Sequence, residues 1–85
     1  MARIELTHVL RRHVDVPPTD VPGATVGEAL AALFALHPRL GGYVLDEQGG
    51  IRKHVVIFAD DARATLETAL GPASEVFVMQ ALSGG

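Results

Sequence analysis

The sequence contains no cysteine. That excludes a disulfide scaffold, a cysteine nucleophile and a thiolate zinc site together. A long apolar run is also missing. The longest, Ala29 to Leu36, falls far short of the ~20 residues that a bilayer span needs. No continuous apolar stretch follows Arg3, so a secretory signal is not expected and the cytoplasm is the expected compartment. Positive charge is in deficit: seven Lys and Arg stand against ten Asp and Glu, a net charge of −3. Such a chain has no general basic field for a phosphate backbone, so neither nucleic acid nor a membrane is an expected partner. Nucleotide and hydrolase signatures are absent too, with no GxxxxGK, GxGxxG or GxSxG.

What is present is a core. Of the 85 residues, 48% are hydrophobic and 20% charged, which is too apolar for intrinsic disorder. At this length a domain buries roughly 60–65% of the surface its unfolded chain exposes, so patterning and turns matter. The organisation expected is one domain over residues 1–81 and a flexible tail over 82–85.

Residues 2 to 10 open as a period-two strand, Ile4 and Leu6 on one face against Arg3, Glu5 and Thr7, until Arg11-Arg12-His13 interrupts it. Pro17-Pro18 confines any strand around Thr19 to Val21 to an edge. Thr25-Val26-Gly27-Glu28 has the form of a capping box, with Val26, Leu30, Leu33, Phe34 and His37 following at helical spacing. Pro38 ends that helix near Leu36. Between two Gly pairs, Tyr43 to Gln48 reads as a short strand or turn pair. His54 to Ala59 reads as a strand buried on both faces or covered by a partner. Ala62 to Leu70 reads as one or two turns of helix, and Glu75 to Ala81 as the last strand. A chain this short with these elements suits one mixed sheet of four or five strands and a helix on one face, an α+β fold. Should the first and last strands pair in the middle, the architecture is a β-grasp.

Few residues suggest chemistry. No two of His8, His13, His37 and His54 share a helix at metal spacing, so no metal site is expected. Asp60-Asp61 reads as a turn rather than an acid–base pair. Arg11-Arg12-His13 reads as a solvated loop or, less readily, a docking contact. The four histidines read as surface or half-buried imidazoles, with a partner contact the less ready reading for His54 beside Arg52 and Lys53. Nothing resembles an enzyme's active site, and no catalytic residue is expected.

The end of the chain is different. At average Gly usage near 7%, two closing glycines arise by chance about once in two hundred chains. A terminal Gly offers its carboxylate with no Cβ nearby, and two in succession thread a channel too narrow for side chains. Gln80 to Gly85, extended, reaches roughly 20 Å. Alternation in the last strand opposes Val76 and Val78 to Phe77 and Met79. If the valines face the helix, Phe77 and Met79 form an apolar patch of the kind that marks a protein interface.

Taken together, Leu10-Arg11-Arg12, Gly23-Ala24-Thr25-Val26-Gly27-Glu28-Ala29-Leu30, Val55-Val56-Ile57-Phe58 and Ser74 to Gly85 resemble the ubiquitin-like sulfur carriers of the MoaD/ThiS type. These include the small subunit of molybdopterin synthase and the thiazole-synthesis sulfur carrier. The resemblance covers nearly the whole chain and is most specific at Gly84-Gly85. It implies a β-grasp carrier rather than a catalyst. An adenylyltransferase resembling ubiquitin-activating enzymes uses ATP and magnesium to adenylate the terminal carboxylate, and a sulfur donor displaces AMP to leave a thiocarboxylate. Gly85 is then the sulfur acceptor, Gly84 gives access to the activating site, and Phe77, Met79 and Leu82 dock partners, among them an acceptor synthase subunit. The chain itself holds no cofactor on this reading. Asp60-Asp61 stands where relatives commonly have Asn-Gly, Gly71-Pro72-Ala73-Ser74 replaces an Asp-Gly-Asp, and Gln80 replaces a Pro. Two other readings share the fold: a ubiquitin-like modifier conjugated through Gly85, and a β-grasp interaction module whose glycine tail is incidental.

Overall fold

A computed structural model describes residues 1–80. Five strands form one sheet in the order β2-β1-β5-β3-β4: β1 (Ala2–Leu6), β2 (Thr19–Val21), β3 (Val55–Ala59), β4 (Ala62–Arg63) and β5 (Glu75–Gln80). The first and last strands run parallel in the centre, with Ile4 opposite Val76 and Leu6 opposite Val78. The neighbouring pairs β1–β2, β3–β5 and β3–β4 are antiparallel. This mixed sheet, with a helix across one face, is the expected β-grasp. The expected boundary after residue 81 lies outside the described residues.

Period-two patterning holds for β1, which buries Ala2, Ile4 and Leu6. The strand stops earlier than expected, and helix α1 (His8–Arg11) begins before the arginines. Continued alternation would turn His8 inward beside Leu6. A helical turn exposes His8 and still buries Leu10 completely. β2 is the short edge strand that its flanking prolines require, and it buries Val21.

Helix α2 (Val26–Leu36) matches its expected bounds, and Val26, Ala29, Leu30 and Leu33 face the sheet. Thr25 Oγ1 accepts from the Glu28 N–H at 3.2 Å. The Glu28 carboxylate reaches back one residue further than a capping box does, to the Ala24 N–H at 3.1 Å. The remaining free N–H groups of the first turn go elsewhere: Val26 donates to the Thr68 carbonyl and Gly27 to that of Leu66. Those two bonds explain why Ala62 to Leu70 is not helical. Asp60 and Asp61 have φ of 51° and 68°, the left-handed pair of a two-residue hairpin. The chain therefore turns back as β4, pairing Ala62 with Ala59. Its next residues lend their carbonyls to α2 instead of forming their own helix.

Two further expectations change. Gly41–Val44 is a short helix, α3, which buries Val44 and follows the buried Leu40. Only the second half of that segment is a turn, in which Asp46 Oδ1 accepts from the N–H groups of Gln48 and Gly50. In β3, Val55, Ile57 and Ala59 are buried, but Val56 and Phe58 are only half-buried. One face is closed by the core and the other is not, so the strand is not buried on both sides.

The turn after β3 is fastened to the start of β5. Asp60 accepts from the Ser74 hydroxyl at 2.7 Å and the Glu75 N–H at 3.0 Å, and its own N–H donates to the Glu75 carbonyl. The Glu75 N–H, then the Ser74 hydroxyl, hold the Asp60 carboxyl below its ordinary value of 3.8. The folded state thus binds fewer protons than the unfolded chain in the interval below that value. Stability from this group is complete above the ordinary carboxylate range and declines as pH falls through the depressed folded pKa. Urea midpoints measured against pH should show a falling acid limb, which Asp60→Asn flattens while lowering the midpoint at neutral pH.

Gly23 marks a close approach. Its φ is +153°, and a Cβ there would lie 2.5 Å from the backbone nitrogen of Ala29. Gly23→Ala is expected to cost more than about 1 kcal/mol, a fall in melting temperature of about 4–8 °C or more. Gly42→Ala, whose Cβ would meet nothing within 4 Å, should leave it nearly unchanged by calorimetry.

Candidate functional site

The register of the sheet composes its open face. Cross-strand partners share a face, so Glu5, Phe77, Phe58 and Arg63 form one row across β1, β5, β3 and β4. Met79 and Val56 form the next row toward the end of β5. On the other side, Asp20, Arg3 and Glu75 make a charged row, with Arg3 Nε 3.3 Å from Asp20 Oδ1. Phe77, Phe58, Met79 and Val56 are thus one half-buried apolar stripe, limited by charge at one end.

Val76 and Val78 are buried against the helix, at 1% and 0% exposure, and Phe77 and Met79 point the other way. The expected opposition of these two pairs is therefore the observed one. The stripe also contains Val56 and Phe58, which sequence reasoning did not assign to it. The apolar run from Val55 to Ala59 has no alternation to read, and only the pairing of Phe58 with Phe77 shows which face each residue takes. Leu82, Gly84 and Gly85, the other expected site residues, lie outside the described residues.

The last described residue of β5 is unusual. Gln80 alternates onto the helix side, opposite Val55. Its side-chain carbonyl oxygen is buried and has no hydrogen-bond partner among the described residues. An acceptor without a partner in such a place favours a donor brought to it. Immediately beyond lies the Ala81-Leu82-Ser83-Gly84-Gly85 segment.

Among the described residues no three His, Asp or Glu side chains converge as a metal site. His13 is stacked on Tyr43, ring centres 5.2 Å apart. Asp60 is occupied by the turn. No helix among the described residues is long and apolar enough to cross a membrane.

No family model matches the sequence. Small archaeal modifier protein 1 of Haloferax volcanii is 36% identical over 67 residues, which span 78% of this chain and 77% of that protein. A crystal structure of the same modifier superposes with a TM-score of 0.84 at 30% identity, covering 99% of this chain and 98% of the other. CysO of Mycobacterium tuberculosis, described as an antigen, has a TM-score of 0.83 at 20% identity over 96% of this chain and all of that one. A chain from the BexX/CysO complex of Amycolatopsis orientalis has a TM-score of 0.85 at 18% identity, covering both chains fully. These last two likenesses are of fold.

The two faces of the sheet should respond differently to substitution. Ile57→Ala removes a side chain only 1% exposed and is expected to cost about 2–5 kcal/mol. Met79→Lys, on the open face, should leave a cooperative transition with a change of under about 1 kcal/mol, read by urea denaturation, because the ammonium reaches water.

Proposed function

The chain belongs to the ubiquitin-like family of the MoaD/ThiS type, and from that membership we propose that it is a sulfur carrier working through Gly85. An activating adenylyltransferase joins the Gly85 carboxylate to AMP from ATP with magnesium, releasing pyrophosphate. A sulfur donor then takes the place of AMP and leaves a thiocarboxylate. Adenylation turns an unreactive carboxylate into an electrophile, and the thiocarboxylate then stores nucleophilic sulfur without free sulfide. The receiving partner is a synthase subunit in cofactor or metabolite biosynthesis, as in molybdopterin synthase. On this reading the cycle runs in the cytoplasm, where ATP is at hand. The chain is substrate and carrier throughout, not the catalyst, and holds no cofactor of its own.

One observation carries this reading. The strand that presents Phe77 and Met79 on an open sheet face is the strand that leads directly into Gly84-Gly85. A partner seated on the apolar stripe meets the end of β5, after which residues 81–85 follow in the sequence. Gly84 allows a channel too narrow for a side chain, and the five residues beyond Gln80 reach at most roughly 17 Å into it. Leu82, which stands in the sequence between Gln80 and the glycines, is the further apolar contact this reading assigns to the same partner.

A second reading is supported by the relative itself, which is a modifier by name. In it the same acyl-adenylate leads to an amide bond with a lysine amine of a target, and AMP leaves. The two readings share activation and differ in what attacks the acyl carbon.

Intact-mass analysis of the full chain, after incubation with an activating enzyme, ATP and sulfide, tests activation and acceptor together. The expected product gains the difference between sulfur and oxygen, and Gly85→Ala should not. A thiocarboxylated Gly85→Ala, or no mass change in the parent chain, would overturn the assignment. Slower-migrating covalent adducts in cells, lost on deleting Gly84-Gly85, would favour the modifier.

A further inference from the structure

We infer that the end of the sheet from which β5 leaves is a cationic collar, and that it docks against an acidic rim at the channel mouth of the activating enzyme; this rests on the carrier reading above. Two short basic segments, far apart in sequence, make the collar. On the β1 side, Leu6 lies opposite Val78 and the Thr7 N–H donates to the Val78 carbonyl. Helix α1 therefore starts beside the end of β5 and holds His8, Arg11 and Arg12 exposed there. On the β3 side, Val55 lies opposite Gln80, so Arg52, Lys53 and His54 stand just past the ladder, also exposed. The end of β5 is flanked by cations on both sides.

The two segments are held in place. Arg52 Nε donates to the Gly42 carbonyl at 2.7 Å, at the start of α3. His13, just after α1, stacks on Tyr43 of α3. The acidic groups nearby neutralise only part of the collar. Asp15 pairs with Arg11 at 3.0 Å. Asp46 accepts from the N–H groups of its own turn and, with Glu47, lines one hollow with Arg52, so these two carboxylates offset part of the β3-side charge. Glu5 lines one hollow with His8, Arg11, Arg12 and Asp15. Arg12 and Lys53 have no ion-pair partner among the described residues.

The opposite end of the same strands is acidic. Asp20 and Glu75 flank Arg3, and Asp60 and Asp61 form the turn fastened to Glu75. The net charge of −3 therefore conceals a separation along the strand axis, positive where the tail begins and negative at the far end. In the field of an acidic mouth such a molecule turns tail-first, which raises the rate of productive encounter. Exposed pairs act only over a Debye length of about 8 Å at physiological salt, so the rim must lie against the collar itself.

The test uses the full chain as substrate for a ubiquitin-activating-type adenylyltransferase of the same organism. ATP–pyrophosphate exchange is followed over a series of KCl concentrations for the parent, Arg12→Glu, Lys53→Glu, the two combined, and Arg3→Glu. The combined variant should raise KM about tenfold at low salt, with kcat kept and the difference shrinking as KCl rises. Arg3→Glu carries the same charge change as either single variant but at the acidic end, and should stay within about twofold. A KM that ignores KCl, or collar variants that behave like Arg3→Glu, would overturn the collar while leaving the carrier reading intact. A parent chain that is never adenylated would overturn both.

Discussion

Everything in this molecule depends on the parallel pairing of β1 with β5. Parallel neighbours cannot be joined by a tight turn, so the whole intervening chain must leave the sheet and come back. α2 makes that return useful by covering the face where Ile4, Leu6, Val76 and Val78 converge. The β1–β5 contact closes a loop of nearly the full length, and the entropy of that closure is offset only when β3 and α2 also pack. For this reason the small elements matter more than their length suggests. The turn at Asp60, the buried Ser74 and the carbonyls of Leu66 and Thr68 fix the return path of β5 from below.

The same pairing decides which residues face outward. Once Val76 and Val78 are committed to the helix, alternation leaves Phe77 and Met79 no other direction. Phe58 and Val56 arrive beside them through the antiparallel β3 ladder. An apolar stripe on the uncovered face is therefore a by-product of core packing that partners can use. On the carrier reading proposed above, the chemistry belongs to the end of the chain and recognition to the sheet, and neither asks for a catalytic side chain.

Fold and site were legible to different degrees. The helix could be read to the residue because Thr25, Glu28 and Pro38 are local signals acting on their own neighbours. The opposition of Val76 and Val78 to Phe77 and Met79 was readable for the same reason, since period-two alternation is local. The segment from Ala62 to Leu70 was not. Its conformation is set by two aspartates with positive φ and by the needs of the N–H groups of Val26 and Gly27, some forty residues earlier. Phe58 and Val56 were missed because an unbroken apolar run carries no phase. The basic segments at Arg11 and Arg52 were each visible, but their meeting at one end of β5 is a property of topology, and net charge conceals it.

The position of β5 also has a mechanical consequence. It is hydrogen-bonded on both edges, to β1 and to β3, and the tail continues from its end. On the carrier reading, a pull on the residues beyond Gln80 directed along the strand axis would act across those hydrogen bonds rather than peel them one by one. The load is shared by both ladders at once. The most firmly braced element of the sheet is thus the one that receives the tension, and the globule can be held by its last residues without being undone.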